Sequence, residues 1–349
     1  MKRSHCLACI AVVGSVSVGC SDDPAGGTGG QGTGATSSTG GATSGGTGGA
    51  GGETYTVTFD PITVGSGLEN TQCVTKRLTN AAPIKVDRID NLLPTGSHHL
   101  IVYRTNDTTE LLEPQDCQPF VDTLDPAKGA PLMITQKHED TLILPDGVGF
   151  VLEAQQMVRL EMHYLNTTGG DIEVGATSTF HVMPDAEFTD AADFLFIGNP
   201  DIDIAANSSF TLGPTFLPLP ADLDGSKFFG ITGHTHQWGT NVRVAVAPTE
   251  DGPDTPVYDV AGWQWDEPET VYHDPPFTLP ADGGFRFVCE YQNMSSKPVG
   301  FGESANAEMC FFWAYYYPSK GAFVCAHTDQ VPGGYDACCP GNAACGQLF

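Results

Sequence analysis

From Thr54 onward, apolar and polar positions alternate over short stretches, among them Tyr55 to Phe59, His99 to Tyr103, Val158 to Tyr164, Asn241 to Val246 and Phe285 to Tyr291. A period of two sends successive side chains to opposite faces of a strand. Clusters of Gly, Pro, Asn and Asp separate these runs and mark turns. No stretch carries the repeat of an amphipathic helix. Many short strands at spacings of about ten residues, in a chain with 25 prolines and 42 glycines, predict an all-β protein of antiparallel, jelly-roll-like sandwiches. Pro184-Asp185-Ala186 interrupts the strand pattern. It divides the folded region into an N-terminal domain over 54–186 and a C-terminal domain over 187–349.

The first residues follow a different pattern. Lys2 and Arg3 precede an apolar run, Leu7 to Val18, that is too short to span a bilayer and reads as a signal peptide over 1–19. Ser17-Val18-Gly19 then leads into Cys20 as in a bacterial lipoprotein signal, with Ser17 where Leu is usual. This predicts lipidation of Cys20 and display at the outer membrane or cell surface, with secretion or a periplasmic location as the alternative. From Ala25 to Gly52 half the positions are Gly and most others are Thr, Ser or Ala, so residues 20–53 read as an anchor and a disordered tether with a span of roughly 30 Å. Removing 1–19 leaves 13 basic against 42 acidic residues, which excludes nucleic acid as a partner and fits a soluble surface. Eight cysteines remain after Cys6, Cys9 and Cys20: Cys73, Cys117, Cys289, Cys310, Cys325, Cys338, Cys339 and Cys345. An even set in an exported chain implies disulfides, and disulfides are favoured over a zinc knuckle for the Cys325–Cys345 tail.

Candidate chemistry lies in the histidines. Five of them fall in three compact motifs: His98-His99, His163 within Glu-Met-His-Tyr, and His234-Thr-His236. The spacing of two in the last would put both imidazoles on one face of a strand, in reach of one ion. Adjacent His98 and His99 would point to opposite faces, and can share an ion only at a strand end or a bulge. His163 belongs to a run with Val158, Leu160, Met162 and Tyr164 on one face and Arg159, Glu161 and His163 on the other, which a solvated strand face explains equally well. Taken singly, each motif admits a purely structural reading. His138, His181, His273 and His327 fit ordinary surface or hydrogen-bonded roles. Neutral imidazole suits several metals, whereas a thioether beside two histidines selects copper, and Met309 is a candidate thioether.

Taken in order, Gly96-Ser-His-His-Leu-Ile-Val-Tyr103, Leu144-Pro-Asp-Gly-Val-Gly-Phe150, Glu161-Met-His-Tyr164, Gly233-His-Thr-His236, Glu308-Met-Cys310 and Tyr315-Tyr-Tyr-Pro318 resemble the ascorbate-dependent type II copper monooxygenases, the family of dopamine β-monooxygenase and peptidylglycine α-hydroxylating monooxygenase. The resemblance runs from about Thr54 to Tyr317. It implies two coppers per chain: an electron-transfer copper held by His98, His99 and His163, and an oxygen-activating copper held by His234, His236 and Met309. It implies a Cys289–Cys310 disulfide beside that methionine. It also implies hydroxylation of a substrate C–H bond with O2 and with ascorbate or another one-electron donor.

The substrate departs from the pattern. Peptide-processing members anchor a carboxylate with an Arg two residues before His-Thr-His, where this chain has Thr232, and use Asn and Tyr where it has Phe311 and Trp313. By alternation Phe311 and Trp313 share the face of Met309. This predicts an apolar or aromatic small-molecule substrate, unless the two rings only pack the core. The chief alternative is a non-catalytic copper-binding or electron-transfer lipoprotein on the same scaffold. A zinc hydrolase gives Met309 no role, and an adhesin leaves the ordered motifs unexplained. The sequence leaves the oligomeric state open.

Overall fold

A computed structural model describes residues 52–94, 96–120 and 128–340. The predicted signal peptide, the predicted lipidation site Cys20, nearly all of the predicted tether and Cys345 lie outside the described residues. The described residues all belong to one compact unit. They form an all-β structure whose only helical element is the 3₁₀ turn Ala221–Leu223, and no described helix is long and apolar enough to cross a membrane.

Residues up to Ala191 form two sheets. One runs in the spatial order Thr54–Val64, Ile172–Val182, Ile84–Leu92, Val148–Leu152, Asp190–Ala191, with Glu139–Ile143 also paired to Ile84–Leu92. The other runs Leu111–Asp116, Glu69–Arg77, Met157–Leu165, Ser97–Thr105, Gly129–Thr135. Their inward residues, Val57, Val86 and Phe180 from one and Val74, Val102 and Leu160 from the other, share a buried apolar core.

From Asp193 the chain builds a second sandwich. Its first sheet runs Thr270–Thr278, Lys227–His234, Phe311–Tyr317, Asp193–Gly198, Phe323–Thr328, Tyr335–Cys339, and its second runs Ser208–Pro218, Gly284–Asn293, Gly239–Ala247, Thr255–Asp259. Most pairings are antiparallel. The exceptions are Asp190–Ala191 on Val148–Gly149 and Asp193–Gly198 on Phe323–Thr328, which are parallel.

The alternation in Phe311–Tyr317 explains how the halves join. Phe312, Ala314 and Tyr316 enter the core of the second sandwich with Leu195, Ile197 and Phe285. Phe311, Trp313, Tyr315 and Tyr317, with Phe194, Phe196 and Met309, enter the core of the first. A strand buried on both faces has no polar side to show, which is why this stretch reads as a continuous run of aromatic residues and one alanine. Tyr315 packs edge-on against Phe150, and the Phe311 ring stacks on Phe196 at 4.9 Å between centroids. Gly198, directly opposite Phe311, makes room for that ring: a Cβ there would lie 2.0 Å from it. The second sandwich thus closes the open side of the first.

Three disulfides have both partners among the described residues: Cys73–Cys117, Cys289–Cys310 and Cys325–Cys338. Cys339 is disulfide-bonded as well. Such pairing belongs to an oxidising compartment.

Candidate metal centre

His98 and His99 stand at the start of the strand Ser97–Thr105, where the register against Met157–Leu165 shifts between Ser97 and His99. Two residues there oppose one, which is the bulge that adjacent ligands need. His99 lies directly opposite His163. The potential ligand atoms of His98, His99 and His163 lie within 4.8 Å of one another, a group that could hold one metal ion. The polar face carrying Arg159, Glu161 and His163 is not a solvated one: Glu161 and His163 are buried. Glu161 accepts hydrogen bonds from the Tyr103 hydroxyl and the Phe120 N–H, and the Phe120 ring lies 5.5 Å from that of His99.

His234 ends the strand Lys227–His234, and His236 follows just beyond it. Their rings are nearly perpendicular, 5.1 Å apart, and the His236 ring is 6.5 Å from that of His98. The two histidine sets therefore adjoin across the junction between the sandwiches.

Hydrogen-bond partners fix which nitrogen carries the proton. A backbone carbonyl can only accept, so the Gln136 atom 3.3 Å from the Trp265 oxygen is its NH2 group. Gln136 Oε1 then faces His234 Nδ1 at 3.0 Å, and Nδ1 must be the donor. By the same logic His236 Nδ1 donates to the Ala307 carbonyl at 3.2 Å. His163 Nε2 donates to Glu69 Oε1 at 3.0 Å, which leaves its Nδ1. His234 Nε2 and His236 Nε2 are buried with no hydrogen-bond partner, as are His98 Nε2 and both nitrogens of His99. A buried lone pair without a donor is costly unless something else occupies it. Metal-binding imidazoles are oriented through their other ring nitrogen in this way.

Burial, reinforced by neighbouring imidazoles, pulls His98 and His236 down to about 4 and His99 and His234 well below the usual histidine range, so these rings are neutral at pH 7. The hydrogen bond from His163, with help from the Ala305 N–H, holds Glu69 at about 2 against the opposing effect of burial. These shifts predict acid lability. Below about pH 6.5 the unfolded chain takes up protons that the buried imidazoles refuse, and stability falls as pH drops toward 4; the Glu69 contribution is lost between about 4.5 and 2. For His236 the loss is on the order of 3 kcal/mol. Melting temperatures of the metal-free protein from pH 7 to 4 should fall steadily, with a shallower slope in His236→Ala; a flat profile would contradict the burial.

Met309 is buried on the same face as Phe311 and Trp313. Its N–H and that of His236 both donate to Glu308 Oε2, at 3.3 and 2.8 Å, and the Trp238 N–H donates to Glu308 Oε1 at 2.6 Å. Glu308 is fully buried, and burial pushes its carboxyl up to about 7 although these donors pull it down. Tyr291 donates to the Met309 carbonyl, and Cys310 is tied to Cys289. The Trp313 ring lies 6.2 Å from that of His234. Thr232 lies opposite both Trp313 and Thr270, its hydroxyl engaged with that of Thr270 at 2.7 Å.

Residues 215–332 match the family described as copper type II ascorbate-dependent monooxygenase, C-terminal domain. This monooxygenase-type segment contains His234, His236, Cys289, Met309 and Cys310. His98, His99 and His163 lie outside it. No curated protein matches the chain in sequence. Among solved structures, a protein of Eubacterium rectale aligns over 70% of this chain and 68% of its own at 11% identity with a TM-score of 0.22. The Sulfolobus turreted icosahedral virus structure aligns over 74% of this chain and 59% of its own at 9% identity with a TM-score of 0.19. Similarities this slight carry no weight for fold or function.

Of the four described histidines outside these sets, His181, His273 and His327 are hydrogen-bonded to Asp90, the Val257 carbonyl and Asp336. Gln136, Glu69 and Trp265, which touch the ligand rings, have no signature in the sequence. Glu308 belongs to the motif Glu308-Met-Cys310, but nothing in the local sequence marks its carboxylate as buried.

Proposed function

We propose that the chain is an exported copper monooxygenase that hydroxylates a C–H bond of a small apolar or aromatic substrate with O2 and ascorbate or another one-electron donor. The observation that carries this reading is the pair of adjoining imidazole sets, in which His98, His99, His234 and His236 hold buried nitrogens without a hydrogen-bond partner, the second set lying inside the segment matching the monooxygenase family. In this reading 54–186 carries the electron-transfer set, His98, His99 and His163, and 187–349 carries the oxygen-activating set, His234, His236 and Met309. Copper bound there supplies one-electron redox chemistry and O2 activation, which the side chains alone lack.

The protein's own groups orient and protect. Gln136 and the Ala307 carbonyl keep protons on Nδ1 of His234 and His236 and leave each Nε2 available. Glu69 does the same for His163 from the Nε2 side. Glu308 holds the backbone on both sides of the second set. Phe311 and Trp313 pack into the apolar core on the side of Met309, and Thr232 offers no charge for a substrate carboxylate. A lipid on Cys20 and the Gly-rich tether would hold this body at a membrane surface.

Oxygen uptake by copper-loaded protein with ascorbate, across aromatic amines and small apolar compounds, tests the reading. Substrate-dependent uptake should appear in the wild type and fall at least about a hundredfold in His236→Ala and in Met309→Ala, while copper remains at the His98 set. Bound copper with no substrate-dependent uptake would favour a non-catalytic copper protein.

A further inference from the structure

Two side chains of the first sandwich each touch a candidate ligand ring and the second sandwich at once. Gln136, just past the strand Gly129–Thr135, accepts from Nδ1 of His234 and donates to the carbonyl of Trp265. The Trp265 ring in turn lies edge-on to His98, 5.5 Å away, so the loop that Gln136 grips also covers a ligand of the first set. Glu69 accepts from Nε2 of His163 and, with the same Oε1, from the N–H of Ala305 at 3.1 Å, and the Ser304 hydroxyl reaches both of its oxygens at 3.4 Å. Ser304 and Ala305 lie four and three residues before Glu308, which holds His236 and Met309.

We infer that Glu69 and Gln136 form a clasp across the two sandwiches that makes the orientation of one ligand imidazole in each set depend on the docking of the sandwiches, and so couples metal binding at the two sets. The inference rests on the copper reading above. If the sandwiches separate, His234 Nδ1–H loses its acceptor, and Glu69 loses the second sandwich that pins it against His163. Each ring is then free to turn or to change tautomer. A metal at either set selects the docked arrangement, and the docked arrangement has both rings already set. Linkage makes the effect reciprocal: each set raises the affinity of the other by the same factor. Gln136 and Glu69 act through the imidazoles and are positioning residues.

The test is anaerobic titration of the metal-free full chain with Cu(I) against a chromophoric chelator, with circular dichroism and thermal melts to establish that each variant is folded. Wild type is expected to bind two Cu(I) cooperatively. His236→Ala, which removes a ligand of the second set, is expected to weaken the first set about tenfold. Gln136→Ala is expected to weaken the second set by about 10–100-fold, and in that background His236→Ala should no longer affect the first set. Gln136→Glu keeps an acceptor for His234 and loses the donor to Trp265, so it should preserve second-set affinity better than Gln136→Ala while still lowering cooperativity. The electron paramagnetic resonance spectrum of each Cu(II) site adds a signature that a general loss of stability would not alter. Independent binding at the two sets in the wild type, with two coppers bound, overturns the clasp and leaves the copper reading standing. Failure of either set to bind copper overturns both.

Discussion

Replacing Glu308 by Ala is expected to destabilise the protein by roughly 3–6 kcal/mol and to abolish metal binding at the His234 and His236 set. The carboxylate is fully buried and accepts from three backbone donors, those of His236, Trp238 and Met309. Truncation leaves all three N–H groups without an acceptor in a site closed to water, and each orphaned donor costs about 1–3 kcal/mol. A cavity adds to this. Glu308→Gln keeps one acceptor oxygen but turns an NH2 group toward backbone donors, and should fall between the two. Chemical denaturation measures the first effect, and metal content per chain the second: copper should remain at the His98 set alone. A variant within about 1 kcal/mol of wild type would mean that the loop is held by something other than Glu308.

The second large effect concerns Cys289–Cys310. The bond closes a loop across 21 positions, both cysteines are buried, and Met309 immediately precedes the second one. The double replacement Cys289→Ala, Cys310→Ala should cost about 3 kcal/mol through the freed unfolded chain, and should also loosen the backbone that carries the thioether. Tyr291→Phe removes the hydrogen bond to the Met309 carbonyl and should cost only about 1 kcal/mol. Thermal melts together with Cu(I) affinity separate the contributions. If affinity at the second set is untouched in the double variant, the disulfide serves stability and does not position Met309.

Much of this was legible in the sequence because its cause is local. Period-two alternation marks strands such as Met157–Leu165 and Gly284–Asn293, and the adjacency of His98 and His99 itself demanded an irregularity, which the structure provides as a bulge. What could not be read depends on contacts between distant segments. Gln136 and His234 are 98 positions apart, and no periodicity links them. The polar face of Arg159, Glu161 and His163 has the pattern of a solvated one, yet Glu161 and His163 are buried, Glu161 against Tyr103 and the Phe120 N–H and His163 against the rings of His98 and His99. Alternation correctly grouped Met309, Phe311 and Trp313, but it did not show that Phe311 would be stacked on Phe196 over a glycine while Trp313 lies next to His234.

The closure of one sandwich by the other also bears on which surfaces each half would expose alone. Gly129–Thr135 is the terminal strand of its sheet, with Ser97–Thr105 its only strand partner among the described residues, yet all seven of its residues are buried where the sheet containing Phe311–Tyr317 packs against the first sandwich. Without the second half, the same strand would offer a row of unpaired N–H and C=O groups flanked by Leu132, Met133 and Ile134, a template for edge-to-edge addition of further chains. The second half in isolation would bare Phe194, Phe196, Phe311, Trp313 and Tyr315 as a continuous aromatic surface. Each half therefore covers aggregation-prone surface that the other would expose alone.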